Sequence, residues 1–189
     1  MRVISGLYRG RLLKGDNLKG TRPTMDKIKE SLFAMIQNSI KDSICLDLFA
    51  GSGSLGIEAL SNGAEYVYFV DKSNDACQII RDNFNNLGIS NNYKLQCLDY
   101  KKALNYFVKN NIKFNLIFLD PPYQSNLYEE ILLFINDNNL LLDNGKVICE
   151  YSSISLNDSY NNLISIKDRK YGDKLIKIYR YCENNKINI

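Results

Sequence analysis

The chain of 189 residues contains no histidine. That excludes every mechanism with an imidazole as base, nucleophile or metal ligand, and leaves carboxylates, hydroxyls, backbone dipoles or a cofactor to carry any chemistry. Cys-x-x-Cys pairs are also missing. The cysteines (Cys45, Cys77, Cys97, Cys149, Cys182) are odd in number, and Cys45, Cys97 and Cys149 lie inside apolar strand-like runs. The expectation is therefore free cysteines in a reducing compartment, with no disulfide scaffold and no zinc or iron–sulfur site. No stretch approaches the ~20 apolar residues of a membrane span, and the first ten residues lack an apolar h-region, so a cytoplasmic protein is expected. Repeats and disordered linkers are lacking as well.

What is present is ordinary in bulk: 45% hydrophobic and 24% charged residues, in a length that suits a single domain. The net charge of +3 is unevenly spread. Residues 1–30 hold eight Lys/Arg against three acids, and residues 163–189 hold seven against three, so the middle is net acidic. Basic ends around an acidic centre suit contacts to a polyanion beside a site with other duties; solvated surface lysine is the plainer reading of the same charges.

From residue 44 onward, short apolar runs alternate with helix-like segments. Strands are predicted at Ile44–Phe49, Tyr66–Val70, Tyr93–Leu98, Asn115–Leu119 and Lys146–Glu150. Helices are predicted between them, one capped by Ser73 and stopped at Gly88. Two alternating runs, Leu163–Lys170 and Lys174–Cys182, read as a terminal hairpin. The pattern implies an α/β fold with a mostly parallel sheet and helices on both faces. Residues 1–24, with four glycines, read as a β-hairpin arm, followed by a core over 25–189 that opens with an amphipathic helix, Asp26–Ile40.

Gly51-Ser-Gly53-Ser-Leu-Gly56 matches G-x-G-x-x-G, follows a strand and opens a helix. Such a loop lets backbone approach a ligand and presents N–H groups at a helix start. Asp71 ends the second strand, placed for a ribose diol, and Asp99 ends the third, near where an adenine edge would lie. Ser52, together with Lys72 and Tyr100 directly after these acids, completes the expected cofactor set. The loop alone fits NAD or S-adenosylmethionine; Asp47, four residues before Gly51, leans toward the latter, since a carboxylate there could face a cationic ligand.

Leu116-Ile-Phe-Leu-Asp-Pro-Pro-Tyr123 places Asp120, Pro121, Pro122 and Tyr123 directly after a buried strand. The prolines fix two φ angles and remove two N–H donors, leaving an all-acceptor cluster around the Asp120 carboxylate. Such a cluster suits an –NH₂ donor. An aromatic amine has its lone pair delocalised into the ring; holding its N–H groups would aim the nitrogen at a methyl donor, and Asp120 would stabilise the developing positive charge. Tyr123 would stack on the base. A plain strand-ending proline turn with a solvated Asp is the bland alternative.

Thr21-Arg22-Pro23-Thr24, Glu30-Ser-Leu-Phe33, the glycine loop and Asp-Pro-Pro-Tyr together resemble the RsmD family nearly end to end, with the Thr21–Thr24 segment the most selective. The resemblance implies a class I S-adenosylmethionine-dependent methyltransferase fold, Rossmann-like, with a seven-stranded sheet and an N-terminal hairpin that grips RNA. It also implies methylation of guanine N2 in 16S ribosomal RNA, within an assembling small subunit. A monomer without metal is expected. Arg9, Arg11, Thr21, Arg22 and Thr24 are the expected RNA contacts, the last three also candidates to cap the cofactor. The alternatives are a DNA adenine-N6 methyltransferase, an NAD-dependent oxidoreductase built on the glycine loop and Asp71, and an RNA binder with a vestigial site.

Overall fold

The computed structural model describes residues 1–15, 22–121 and 125–182. Helix α1 spans Arg22–Ile36 and runs into a 3-10 turn at Gln37–Ser39. Then follow β1 (Ile44–Asp47), α2 (Ser54–Ser61), β2 (Tyr66–Asp71), α3 (Asn74–Leu87), β3 (Tyr93–Cys97), α4 (Tyr100–Lys109) and β4 (Phe114–Leu119). The chain continues with α5 (Ser125–Asp137), β5 (Leu141–Tyr151), the two-residue β6 (Ser159–Tyr160), β7 (Leu163–Tyr171) and β8 (Lys174–Tyr181).

One sheet carries these strands in the order β3-β2-β1-β4-β5-β8-β7-β6. The pairs from β3 to β5 are parallel, and β8, β7 and β6 add antiparallel pairs. The seven expected strands are present, with β6 an added edge fragment. The order reverses at β1 and β4, so the segments that leave these two neighbours diverge and open a crevice beyond their carboxyl ends.

Strand periodicity divides the core into two layers. On β4, Leu116 and Phe118 join the layer under α1, α2 and α3, while Ile117 and Leu119 join the layer under α4 and α5. Phe114 breaks that parity and joins the second layer, at the point where the β4–β5 register shifts between Phe114 and Leu116. Helix α3 begins and ends where its sequence signals stand: the Ser73 side chain accepts the Ala76 N–H, and Gly88 takes a left-handed conformation at the C-cap.

The expectations need three adjustments. Helix α1 starts at Arg22 rather than Asp26 and gives way to the 3-10 turn after Ile36; Pro23 in the first turn is compatible with a helix start, where its missing N–H is no loss. The boundary expected between residues 24 and 25 thus falls within α1. The hairpin at the N-terminus carries an antiparallel bridge, Arg2 with Leu12, and is docked rather than extended as an arm. Val3 and Leu13 are buried in the core, and the Ile4 and Ser5 N–H groups donate to the Glu58 carboxylate at 2.9 and 2.8 Å. Finally, Cys77 and Cys97 are joined in a disulfide. Linear spacing gave no sign of this pair; α3 packs along β3 and brings the two Cα atoms within 6.1 Å. Cys45 and Cys149 are free and buried, as small hydrophobes in a core should be. Among the described residues, no helix is long and apolar enough to cross a membrane.

Candidate active site

The turn after β1 is built by glycines. Gly51 (φ +53°) and Gly53 (φ +78°) hold left-handed conformations, and Gly53 is the N-cap of α2. Gly56 serves close packing: a Cβ there would lie 2.3 Å from the Phe69 ring, so α2 can sit this near β2 only without a side chain at that position. Asn83, wholly buried on α3, donates to the Ser52 carbonyl at 2.9 Å and so ties the loop to its neighbour helix.

The acids at the strand ends accept backbone N–H groups. Asp71 accepts the Gly51 N–H on one oxygen (2.9 Å) and the Ser73 N–H on the other (2.8 Å). Asp99 caps α4 by accepting the Lys101 N–H at 2.9 Å. Asp47 behaves differently. It is buried, its Oδ2 accepts the Gly56 N–H at 2.9 Å, and burial pushes its carboxyl up to about 7, an effect the Gly56 hydrogen bond opposes.

A cavity of about 700 Å³ opens over the carboxyl ends of the strands, within the range of small-molecule sites. Of the residues expected from sequence, Gly51, Asp71, Lys72, Asp99, Tyr100, Asp120 and Pro121 line it. Asp47, Ser52 and Gly53 do not; they support the loop from behind. Pro122, Tyr123 and Thr21 lie outside the described residues. Arg22 and Thr24 occupy the first turn of α1. Arg9 is exposed on the N-terminal hairpin, whereas Arg11, also exposed, spends its guanidinium on the Asn86 carbonyl at the end of α3.

The cavity also gathers residues the motifs did not point to. Phe49 faces Tyr100 with ring centroids 5.5 Å apart, and Leu48, Leu98 and Leu127 add apolar wall. At the far end stand Glu150 and Lys174, with Lys174 Nζ 2.9 Å from Glu150 Oε1 and 4.0 Å from Asp120 Oδ1. Glu150 ends the run predicted as the fifth strand, so the rule that ligands bind at carboxyl ends could have raised it. Lys174, at the start of an antiparallel strand, carried no such signal. Desolvation at the cavity, then the charge of Glu150, lifts the Asp120 carboxyl above the ordinary carboxylate range, and Lys174 pulls the other way. The arrangement offers one partly open cleft with a backbone cradle and two acids at one end, and an acceptor of raised proton affinity at the other.

Known proteins resemble this chain in sequence and in fold. The family model "Conserved hypothetical protein 95" matches residues 1–180. The Bacillus subtilis protein YlbH, provisionally named an rRNA methyltransferase, is 38% identical over 181 residues, covering 95% of this chain and 98% of that protein. The ribosomal RNA small subunit methyltransferase D of Haemophilus influenzae is 34% identical over 184 residues, covering 95% and 93%. Among solved structures, Escherichia coli yhhF, provisionally named a methyltransferase, superposes with a TM-score of 0.82 at 28% identity, covering 96% and 97%. The chain belongs to the conserved hypothetical protein 95 family, the RsmD family that its motifs resemble.

Proposed function

We propose that this chain methylates the exocyclic N2 amine of a guanine in 16S ribosomal RNA, taking the methyl from S-adenosylmethionine. The observation that carries this reading is the single cavity that joins the glycine loop and its two strand-end acids to Asp120. The Haemophilus influenzae relative is named for methylation of small-subunit ribosomal RNA; guanine as the base follows from the family resemblance.

The cavity's residues fit the methyl donor. Its size suits a nucleoside with an amino-acid tail, Gly51 leaves open space where a Cβ would stand, and Phe49 and Leu98 offer apolar faces for a purine. When bound, S-adenosylmethionine supplies an electrophilic methyl on a sulfonium, a chemistry that needs no imidazole. Asp71 has acceptor capacity beyond its two backbone N–H donors for a ribose diol, and Asp99 and Tyr100 flank the adenine end. Asp47 acts as a positioning residue, holding the start of α2 through Gly56.

Asp120 accepts an N–H of the target amine and so favours a nitrogen whose lone pair points at the methyl. Exchange of the sulfur–methyl bond for a nitrogen–methyl bond would leave a neutral thioether and oblige the amine to shed a proton, and the raised proton affinity of Asp120 suits it to receive that proton. Tyr123 stacks on the base, and Thr21, Arg22 and Thr24 cap the cofactor or meet RNA. Arg9, exposed on the N-terminal hairpin, meets the phosphate backbone, within an assembling small subunit in the cytoplasm.

Small-subunit particles that lack the modification, free 16S RNA and duplex DNA, each incubated with protein and methyl-labelled cofactor, test this directly. Label in the particle's RNA is expected. Label in duplex DNA alone would overturn the reading in favour of adenine-N6 transfer.

A further inference from the structure

Three neighbouring strands deliver three charged groups to one end of the cavity. β4 and β5 pair in parallel with Leu119 opposite Cys149, so Asp120 and Glu150 are the next residues along adjacent strands. β5 and β8 pair antiparallel with Glu150 opposite Ile176. Lys174, two residues from Ile176, is then the diagonal neighbour of Glu150 on the same face, a distance long side chains bridge. The resulting contacts are the 2.9 Å ion pair of Lys174 with Glu150 and the 4.0 Å approach of Lys174 to Asp120.

We propose that Asp120, Glu150 and Lys174 read the Watson–Crick edge of guanine. The inference rests on the reading above that this site methylates a guanine amine, and it identifies what selects the base. Guanine presents, side by side, two donors and one acceptor: the N2 amine, N1–H and O6. The site presents two carboxylates and one ammonium. With the amine on Asp120, Glu150 accepts N1–H and Lys174 donates to O6. A carboxylate offers about four acceptor sites, so Glu150 can hold the ion pair and still accept from the base. The Tyr128 hydroxyl donates to the Glu150 carbonyl and fixes the end of β5 from which the carboxylate projects.

Adenine fails against the same array. With its amine on Asp120, its N1 is an acceptor and would face the Glu150 carboxylate, lone pair against lone pair. A site built to pair with a substrate's polar groups rejects an analogue that leaves those groups unpaired, and a flipped base is read along this edge.

The test uses full-length protein and small-subunit particles reconstituted with guanine, 2,6-diaminopurine or 2-aminopurine at the methylated position. All three bases carry the 2-amine, but both analogues have an acceptor at N1 and lack O6. Wild-type protein should transfer methyl to guanine at least ~30-fold faster than to either analogue, the discrimination of good paired hydrogen bonds. Glu150→Gln and Lys174→Met should each shrink that ratio to within about 5-fold, chiefly by slowing guanine. Unchanged affinity for S-adenosylhomocysteine certifies each variant's fold; should either variant fail that control, the wild-type ratio still decides. Equal wild-type rates on all three bases, or variants that keep the wild-type ratio, overturn the inference and leave the methyltransferase reading standing. No transfer to the guanine particle overturns that reading, and this inference with it.

Discussion

Lys29 of α1 and Glu58 of α2 form a buried ion pair, Nζ to Oε2 at 3.0 Å, with side chains 5% and 0% exposed. The same ammonium donates to the Arg2 carbonyl and to Ser54 Oγ, and the same carboxylate accepts the Ile4 and Ser5 N–H groups. Burial pulls the Lys29 ammonium below the usual lysine range, against the attraction of Glu58. Removing one partner therefore leaves a buried charge and orphaned donors. Glu58→Ala should lower unfolding free energy by ~3–5 kcal/mol, read by urea denaturation, and should expose residues 1–15 to proteolysis before the core. A loss under ~1 kcal/mol would show that the N-terminal hairpin is held by other contacts.

Gly56 tests the closeness of α2 to β2. Its conformation is helical, so alanine would be tolerated by the backbone, but the added Cβ would meet the Phe69 ring at 2.3 Å. Gly56→Ala should destabilise by ~1–3 kcal/mol through overpacking. The double variant with Phe69→Leu should recover part of that in thermal melts. A stabilising Gly56→Ala would contradict the packing described.

The acid limb of the rate profile reports Asp120. Its folded carboxyl is raised, and transfer needs the ionised form as acceptor, so kcat/KM should fall as pH drops through a value above the ordinary carboxylate range. Removing the opposing ammonium in Lys174→Met should move that limb to higher pH, and removing the negative neighbour in Glu150→Gln should move it lower. Shifts in the opposite order would refute the electrostatics.

Asp47 makes a stability prediction of its own. A carboxyl raised to about 7 in the fold, above its unfolded value, contributes stability that is present at low pH and lost as pH rises through about 7. Asn can still accept the Gly56 N–H. The melting temperature of Asp47→Asn should therefore gain on wild type between pH 5 and pH 9; a gap independent of pH would contradict the shift.

Arg9 is exposed on the docked hairpin. If it meets phosphate, Arg9→Glu should weaken binding to the particle with little regard to sequence and reduce the salt slope of log Kd by about 1 or more. Binding unchanged across salt would remove Arg9 from the RNA surface.

Much of this organisation was legible because its causes are local. Ser73 and Gly88 bound α3 through hydrogen bonds within their own turn, and the glycine loop and Asp120 sit where an apolar run ends. What was not legible depends on distant pairing. The first residues read as an arm because nothing near them shows that Glu58, more than fifty positions away, accepts their N–H groups. The Cys77–Cys97 link follows from α3 lying along β3, not from spacing. Asp47 sits in the motif, but its carboxylate turns to Gly56 rather than the cavity, a matter of side-chain direction that spacing does not fix. Glu150 and Lys174 meet only because β8 returns antiparallel beside β5.

The most direct measurement of the central claim is single-turnover methyl transfer to undermethylated small-subunit particles, with digestion of the RNA and mass spectrometry of its nucleosides, for wild type and Asp120→Asn. Wild type should form N2-methylguanosine, and Asp120→Asn should form it ~100-fold or more slowly while binding S-adenosylhomocysteine with near wild-type affinity. Absence of N2-methylguanosine from the wild-type reaction, or its formation at the wild-type rate by Asp120→Asn, would contradict the claim.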